Sequence, residues 1–349
     1  AHLSVGQEAA AVGEAFLLDV ESHIFGNHRS HGEIIAKGLS AIHGLSEPTL
    51  QEIMEAYLGG DILRVVERVS ASGGTERAID YLLYGLLAEI FGRATGFNRG
   101  LGGSMHAFFP PFGIYPNNAI VGGSADIAVG ASLHKRVQRK PGIVIANIGD
   151  ASTGCGPVWE AMNFATMGQL WTLWEPEYRG GLPVIFAFMN NFYGMGGQTR
   201  GETMGFTRLS TIAAGLNPFN LHAETVDGNN PLAVIEAFRR KIPLLAVGKG
   251  PVLLDILTYR QSGHSPSDAG AYRTREEIQL WQAVDPIREF GTQLLDAKVA
   301  TEAELEALAA YAARKVHQAC RLAVDLQISP RLTGEDIARV MFSHAAEAA

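Results

Sequence analysis

The amino-acid sequence predicts an α/β fold with a mainly parallel central sheet and helices on both faces of that sheet. Three runs of β-branched and aliphatic residues have the pattern of fully buried strands, each bounded by Gly, Pro or Asn: residues 142–148, 183–189 and 252–257. Helical patterns accompany them, over residues 125–139, 157–167 and 231–241. Because such alternation forms parallel sheets through right-handed crossovers, the carboxyl ends of the strands should share one edge, where ligands of these sheets bind.

Composition excludes several classes of protein. Of 349 residues, 47% are hydrophobic and 18% are charged, which allows a large core and argues against a disordered chain. Against 36 Asp and Glu there are only 28 Lys and Arg, so the net charge of −8 disfavours binding to nucleic acid. Two cysteines cannot form a disulfide framework, and no apolar run reaches the ~18 residues of a membrane span. We expect a cytoplasmic protein that binds neither nucleic acid nor membranes.

We expect the chain to form a single α/β domain with a helical C-terminal part over residues 274–349. The capping box Thr301-x-x-Glu304 begins a long amphipathic helix in this part. Its apolar residues recur at helical spacing, and we expect this stripe to pack on the core rather than on a partner subunit: Leu305, Leu308, Ala312, Val316 and Ala319.

Glycine is concentrated in loops beside the predicted strands. The chain has 40 glycines, and they cluster at residues 100–103, 122–123, 149–156 and 194–197. A loop glycine allows the backbone to approach a phosphate closely, so these loops are candidates for contact with a phosphate-bearing ligand.

Polar side chains follow two of the predicted strands. Asp150 comes directly after one strand and Asn191 directly after the next. A carboxylate, an amide oxygen and a backbone carbonyl are ligands suited to Mg²⁺, which takes its remaining ligands from phosphate and water. The backbone N–H groups of Ala151 and Ser152, at a helix start, could hold the same phosphates. An alternative stays open, in which Asp150 is a helix N-cap and Asn191 a turn residue.

Eight sequence blocks carry a family resemblance over nearly the whole chain. In chain order they are HLSVGQEA (2–9), HRSHG (28–32), GGSMH (102–106), NAIVG (118–122), IGDAS (148–152), MNNFYGMG (189–196), YRQSGHSPSD (259–268) and YRT (272–274). With these blocks the chain resembles the α subunit of the E1 component of 2-oxoacid dehydrogenase complexes. The fifth and sixth blocks are similar to the thiamine diphosphate motif, Gly-Asp-Gly followed a few tens of residues later by Asn-Asn.

The resemblance implies a thiamine diphosphate-binding fold and a set of cofactor ligands. Asp150, Asn191 and the backbone carbonyl of Tyr193 would bind Mg²⁺, and Arg29 would hold the diphosphate with two hydrogen bonds. Further cofactor contacts would come from His28, Ala119, Val121, Gly149, Ala151 and Ser152.

Three histidines are the catalytic residues that the resemblance implies. His264 would face the diphosphate and the substrate, whereas His2 and His31 would line the active-site channel. Imidazole is suited to such steps because it can act as acid or base near neutral pH.

The family activity implies partners as well as a substrate. Its members decarboxylate a 2-oxoacid such as pyruvate and pass the acyl group to the lipoyl domain of E2. A glutamate of the β subunit activates the cofactor, so we expect half an active site here and an α2β2 assembly, or a fused β half. Two alternatives stay open: an acetoin dehydrogenase α subunit, and a catalytically silent scaffold subunit of the same fold.

The sequence departs from the family pattern at several points. Ala151 replaces the second glycine of Gly-Asp-Gly, and His28 stands where tyrosine is common. Two segments, residues 45–74 and 171–181, are predicted insertions that add surface or partner contacts. The chain starts without the segment that usually precedes His2, so it could belong to a longer, fused polypeptide. His28-x-x-His31 is also a possible metal pair, but a third ligand is missing nearby in the sequence.

Overall fold

The computed structural model describes residues 1–70 and 73–341, in two compact units. The first unit comprises Ala1–Gly44 and Phe109–Glu302, and the second comprises the described residues of Leu45–Phe108 and Ala303–Ala349. Residues 71–72 of the predicted insertion and residues 342–349 of the predicted C-terminal part lie outside the described residues. The expectation of a single domain stays a prediction.

Within the described ranges, six strands form one parallel sheet of the first unit, in the order β2-β1-β3-β4-β6-β5. The strands are β1 (His23–Asn27), β2 (Ile114–Asn118), β3 (Val144–Gly149), β4 (Val184–Asn190), β5 (His222–Asp227) and β6 (Val252–Leu257).

Helices precede, connect and follow these strands. Those of the first unit are α1 (Glu8–Ala15), α2 (His31–Gly44), α6 (Gly123–Val137), α7 (Gly156–Ala165), α8 (Gln169–Thr172), α9 (Ile212–Leu216), α10 (Pro231–Ala246), α11 (Arg275–Ala283) and α12 (Pro286–Asp296). Those of the second unit are α3 (Glu47–Ala56), α4 (Asp61–Val66), α5 (Gly74–Ile90), α13 (Glu302–Val324) and α14 (Gly334–Met341). None of the helices in the described ranges has the length and apolarity needed to cross a bilayer.

The α/β fold and the three predicted strands are confirmed as β3, β4 and β6. Every residue of β4 is buried, which explains its continuous apolar run. Helices α6 and α7 pack with β3 and β4 in one apolar core that includes Ala128, Met162 and Phe186. Trp171 and Trp174, from the predicted insertion at residues 171–181, pack against the same core.

The chain reverses direction across the sheet beside β1. From β1 the chain continues to β2 on one side, and then returns to form β3 on the other side of β1. In an open parallel sheet, such a reversal opens a crevice at the carboxyl ends of the two strands that flank it.

In the second unit, one glycine cluster serves a purpose that the sequence analysis did not predict. The buried Glu89 carboxylate accepts hydrogen bonds from the backbone N–H groups of Gly100, Gly102 and Gly103 at 2.7–3.1 Å. These N–H groups are therefore engaged by a side chain of the same unit. The expectation that they contact a ligand phosphate is wrong for this loop, because an internal carboxylate takes the place of the anion.

The apolar stripe of α13 is also corrected. Only Ala319 of the predicted stripe is buried, while Leu308 and Val316 are 63% and 45% exposed. Burial instead begins in the last turns of the helix, at Ala319, Leu322 and Ala323. Helical periodicity identified the face but not what covers it.

Two acidic side chains are buried side by side in the first unit. Glu14 on α1 accepts a hydrogen bond from the Asn147 Nδ2 at 2.8 Å, and its Oε2 has no hydrogen-bond partner. Burial, together with the charge of Glu33 on α2, raises the pKa of Glu14 to about 8. Burial likewise raises the pKa of Glu33 to about 7.

This burial predicts a pH-dependent stability. Because the pKa of Glu14 is higher in the folded chain than the usual 4.5, folding is favoured while the group is protonated, and that advantage is lost as pH rises towards 8. Glu14→Gln, which keeps the neutral shape, should raise the midpoint of thermal unfolding by about 2–4 °C or more near pH 8 and by less near pH 5. The exposed Glu52→Gln on α3 is the control. A lower midpoint for Glu14→Gln at both pH values would contradict the account.

Candidate active site

The residues that the sequence analysis assigned to a site all lie in the first unit, around the carboxyl edge of its sheet. His28 and Arg29 follow β1, Ala119 and Val121 follow β2, Gly149 ends β3 and precedes Asp150, Ala151 and Ser152, Asn191 and Tyr193 follow β4, His264 follows β6, His31 begins α2, and His2 precedes α1.

A cleft lies at the reversal point between β1 and β3. The residues that line it lie at the ends of three strands or directly after them: Asn27, His28, Asn118, Val121, Gly149 and Ser152. The cleft is thus where the topology of an open parallel sheet predicts a ligand.

Asp150 is the first residue of a short 3₁₀ helix, Asp150–Gly154, and its carboxylate is 1% exposed. Gly149 is the N-cap of that helix, so the alternative of Asp150 as an N-cap is wrong. The hydroxyl of Thr199 donates a hydrogen bond to the Asp150 Oδ2 at 2.6 Å. Burial raises the pKa of Asp150 to about 6, against the opposing effect of Thr199 and of nearby backbone N–H groups.

Asn191 closes the turn that follows β4. Its Oδ1 accepts a hydrogen bond from the backbone N–H of Tyr193 at 3.3 Å, and its Nδ2 lies 3.5 Å from the Gln7 Oε1. Between Asn191 and Tyr193, Phe192 has a φ angle of +68°, a left-handed conformation that is unusual for a bulky residue. Backbone strain of this kind concentrates at functional sites.

The replacement of glycine by Ala151 is accommodated without strain. Ala151 is not among the residues with positive φ, so the position does not require glycine for its backbone conformation. Its methyl group lies 3.3 Å from the place where a Cβ on Gly194 would stand, so Gly194 provides the room.

Two buried guanidinium groups face the edge of β1. Arg29, 6% exposed, donates to the backbone carbonyls of Leu3 at 2.6 Å and His264 at 2.9 Å. Arg260, 1% exposed, donates to the Ser262 carbonyl and the Tyr272 hydroxyl, and its Nε has no hydrogen-bond partner. Within residues 1–70 and 73–341 neither forms an ion pair with a carboxylate, although the Glu33 carboxylate acts on Arg29 and the Asp268 carboxylate interacts with Arg260 at longer range.

The surroundings of Arg29 change its pKa. Burial, with the charge of Arg260 second, lowers the pKa of Arg29 to about 10. Arg29 therefore stays charged at neutral pH, and buried guanidinium groups whose hydrogen-bond acceptors are neutral favour an anionic ligand.

Three histidines from distant parts of the chain meet beside these arginines. The ring centroid of His2 lies 4.8 Å from that of His28 and 5.3 Å from that of His264, and the last two are 5.5 Å apart. His31, three residues after His28, is not part of this group of three. The expectation that His2 and His31 line the active-site channel stays a prediction.

All three imidazoles are neutral at physiological pH. Burial, followed by the charge of Arg29, lowers the pKa of His28 to about 3 and that of His264 to about 4. The same two causes lower the pKa of His2. Neutral imidazoles can accept a proton or a hydrogen bond, but do not supply fixed positive charge.

Three further residues support the site and were not assigned a role from the sequence. Thr199 holds Asp150, Arg260 adds a second cation, and Glu277 accepts hydrogen bonds from the Tyr193 hydroxyl at 2.7 Å. Arg260 lies within the YRQSGHSPSD block, so its position was visible in the sequence. Thr199 and Glu277 gave no such signal, because their partners are 49 and 84 residues away.

The residues present fit a magnesium ion and a diphosphate. The carboxylate of Asp150, the amide oxygen of Asn191 and nearby backbone carbonyls form a hard oxygen set after β3 and β4. Arg29 and Arg260 supply positive charge after β1 and β6, with one guanidinium nitrogen still without a partner. This arrangement can bind a metal and an anion together, at a sheet edge bordered by neutral imidazoles.

Comparison with known proteins identifies the family to which the chain is similar. A family model described as "Dehydrogenase E1 component" matches residues 77–330. The pyruvate dehydrogenase E1 component subunit alpha of Zymomonas mobilis is 32% identical over 306 residues, covering 87% of this chain and 70% of the relative. The corresponding subunit of Rhizobium meliloti is 30% identical, with 87% and 71% covered. The alpha subunit of acetoin:2,6-dichlorophenolindophenol oxidoreductase of Bacillus subtilis is 31% identical, with 84% and 71% covered.

The hydrogen bond between Thr199 and Asp150 yields a testable prediction. Thr199→Val keeps the shape of the side chain and removes the donor to a buried carboxylate, so it should lower the free energy of unfolding by about 1–3 kcal/mol. Urea denaturation with a metal chelator present measures this effect. Thr211→Val is the control, because its hydroxyl is exposed and donates only to the Arg208 carbonyl. Equal losses in the two variants would show that the Thr199 hydroxyl does not stabilise Asp150.

Proposed function

The chain belongs to the dehydrogenase E1 component family, on the α-subunit side, and on this basis we propose that it binds thiamine diphosphate together with Mg²⁺. The chain would be the α subunit of an enzyme that decarboxylates a 2-oxoacid and transfers the acyl group to lipoyl-E2. One observation supports this most. A buried set of oxygen ligands and two buried arginines lie at the same edge of the sheet, and within the described residues neither arginine forms an ion pair with a carboxylate.

In this proposal the metal end of the site is formed by Asp150, Asn191 and the backbone carbonyl of Tyr193. Thr199 keeps the Asp150 carboxylate oriented through its 2.6 Å hydrogen bond. A divalent ion would hold Asp150 in its ionised form, because the positive charge opposes the effect of burial on the pKa.

The anion end is formed by Arg29, with Arg260 behind it. Arg29 would exchange its carbonyl partners for diphosphate oxygens, which are stronger acceptors because they are charged. Gly149, Ala151 and Ser152 lie at the base of the site, where their backbone approaches the ligand closely. His28 adds a polar ring, and Ala119 and Val121 add apolar contacts.

When bound, thiamine diphosphate supplies the electron sink for loss of carbon dioxide from the 2-oxoacid. The chain's own contribution is to orient the reactants and to move protons. His264 and His2, neutral at pH 7, are suited to hydrogen-bond the substrate and to accept a proton from it. His31, at the start of α2, would line the same channel.

Pyruvate is the substrate we favour, because pyruvate dehydrogenase α subunits are prominent among the relatives. The site would be completed by a β subunit in an α2β2 assembly, or by a fused β half, and the lipoyl domain of E2 would accept the acyl group. Acetoin is the second candidate substrate, supported by the Bacillus subtilis relative at 31% identity. A silent scaffold is disfavoured by the burial of Asp150 and Arg29, since buried charge without function is costly.

Asp150→Ala tests the proposal directly. Removing the carboxylate should weaken Mg²⁺-dependent binding of thiamine diphosphate by about 100-fold or more and leave the fold intact. Calorimetric titration of the chain recovered with its natural partners measures the affinity, and circular dichroism checks the fold. Asp227→Ala, at the end of the edge strand β5, is the matched control. Unchanged cofactor affinity in Asp150→Ala would overturn the assignment of this site.

A further inference from the structure

The three histidines at the end of β1, which the proposed function places beside the cofactor and the substrate, also form a compact cluster of metal-ligating side chains. Each can offer one ring nitrogen to a common point, and these nitrogens all lie within 4.8 Å of one another. One ring precedes α1, at residue 2, and the other two follow the strands β1 and β6, at residues 28 and 264. We propose that His2, His28 and His264 form a binding site for a divalent transition-metal ion such as Zn²⁺.

The chemistry of the ligands suits such an ion and not Mg²⁺. Three imidazoles form a common set for zinc, which leaves a fourth position for water or an exogenous ligand. Magnesium prefers oxygen ligands, so this cluster and the Asp150 set select different metals. An imidazole binds a metal ion in its neutral form. Because these rings are neutral near pH 7, they do not have to lose a proton before they bind the ion.

An unsatisfied atom points to the same site. The Nε2 of His28 is buried and has no hydrogen-bond partner, which is costly for a polar atom in a folded protein. A metal ion would provide the missing partner.

The spacing of the three ring nitrogens and the charge of the nearby arginines limit the affinity of the cluster for zinc. Tetrahedral zinc with Zn–N bonds of about 2.0–2.1 Å requires ligand nitrogens about 3.3 Å apart, so the rings must close by about 1.5 Å. Arg29 and Arg260 repel a cation, and the Arg29 guanidinium lies 3.4 Å from the His264 Nδ1. We therefore expect a Kd in about the micromolar range, weaker than that of a structural zinc site.

The position of the cluster has a functional consequence, which rests on the proposed function. Arg29 contacts His264 through its Nη2, one of the two nitrogens that the proposed function assigns to diphosphate oxygens. A zinc ion held by His28 and His264 would therefore occupy space and ligands that the cofactor needs. Zinc and thiamine diphosphate should exclude each other, so that zinc inhibits loading of the enzyme.

Zinc titration of the full chain, freed of cofactor and metal, tests the site. Wild type should bind one Zn²⁺ in competition with a chromogenic chelator, and Co²⁺ should give the intense visible absorption of a four-coordinate site. His28→Gln should weaken zinc binding by about tenfold or more, because even second-sphere partners contribute about 10- to 100-fold. His2→Gln should do the same, which keeps the test valid if one variant fails to fold.

Two histidine controls sharpen the result. His134→Gln removes an exposed histidine at the end of α6 and should leave zinc binding unchanged. His31→Gln should also leave it unchanged, because His31 lies outside the cluster. Equal binding by wild type and His28→Gln, or loss in His31→Gln alone, would overturn the site.

A second titration separates this inference from the proposed function. Thiamine diphosphate with Mg²⁺ should raise the apparent Kd for zinc in wild type. Zinc binding that needs the three histidines but does not respond to a cofactor that binds would overturn mutual exclusion and keep the metal site. Zinc binding with no cofactor binding, in the chain recovered with its partners, would count against the proposed function alone.

Discussion

The buried guanidinium of Arg29 is the group on which the arrangement of the site depends. A charge this deeply buried must be satisfied, and the chain does so with two backbone carbonyls, from Leu3 and from His264. These contacts draw the N-terminal segment and the loop after β6 to the end of β1. Within the described residues Arg29 forms no ion pair with a carboxylate. The same group that assembles the site therefore also attracts an anion to it.

The parallel sheet supplies the other half of the arrangement. Because all six described strands run in one direction, residues from β1, β3, β4 and β6 reach one edge although they are far apart in sequence. The reversal beside β1 opens a cleft at this edge, lined by residues that include His28, Gly149 and Ser152. Asp150 and Arg29 thereby lie at the same edge of the sheet, and burial lowers the pKa values of the His28 and His264 imidazoles there.

The long buried strands and the sequence blocks of the family resemblance could be predicted from the sequence, whereas the short or edge elements could not. β2 contains Pro116, which normally argues against a strand, but it lies at the edge of the sheet where a missing N–H donor is tolerated. β5, at the other edge, is only half-buried and lacks a continuous apolar run. Contacts such as those of Thr199 with Asp150, or of His28 with His2, join residues that are far apart in sequence and depend on the fold. The other ligands of the histidine cluster are therefore not visible in the sequence around His28.

The central claim is that this edge binds thiamine diphosphate and serves a 2-oxoacid dehydrogenase. The most direct measurement is dye reduction by the assembly recovered through a tag on this chain, with Mg²⁺ and thiamine diphosphate present. Pyruvate, a branched-chain 2-oxoacid and acetoin are compared as substrates. The account predicts turnover of a 2-oxoacid that requires both the cofactor and the metal. An assembly that contains the partner subunit, yet neither binds the cofactor nor reduces the dye with any substrate, would contradict it.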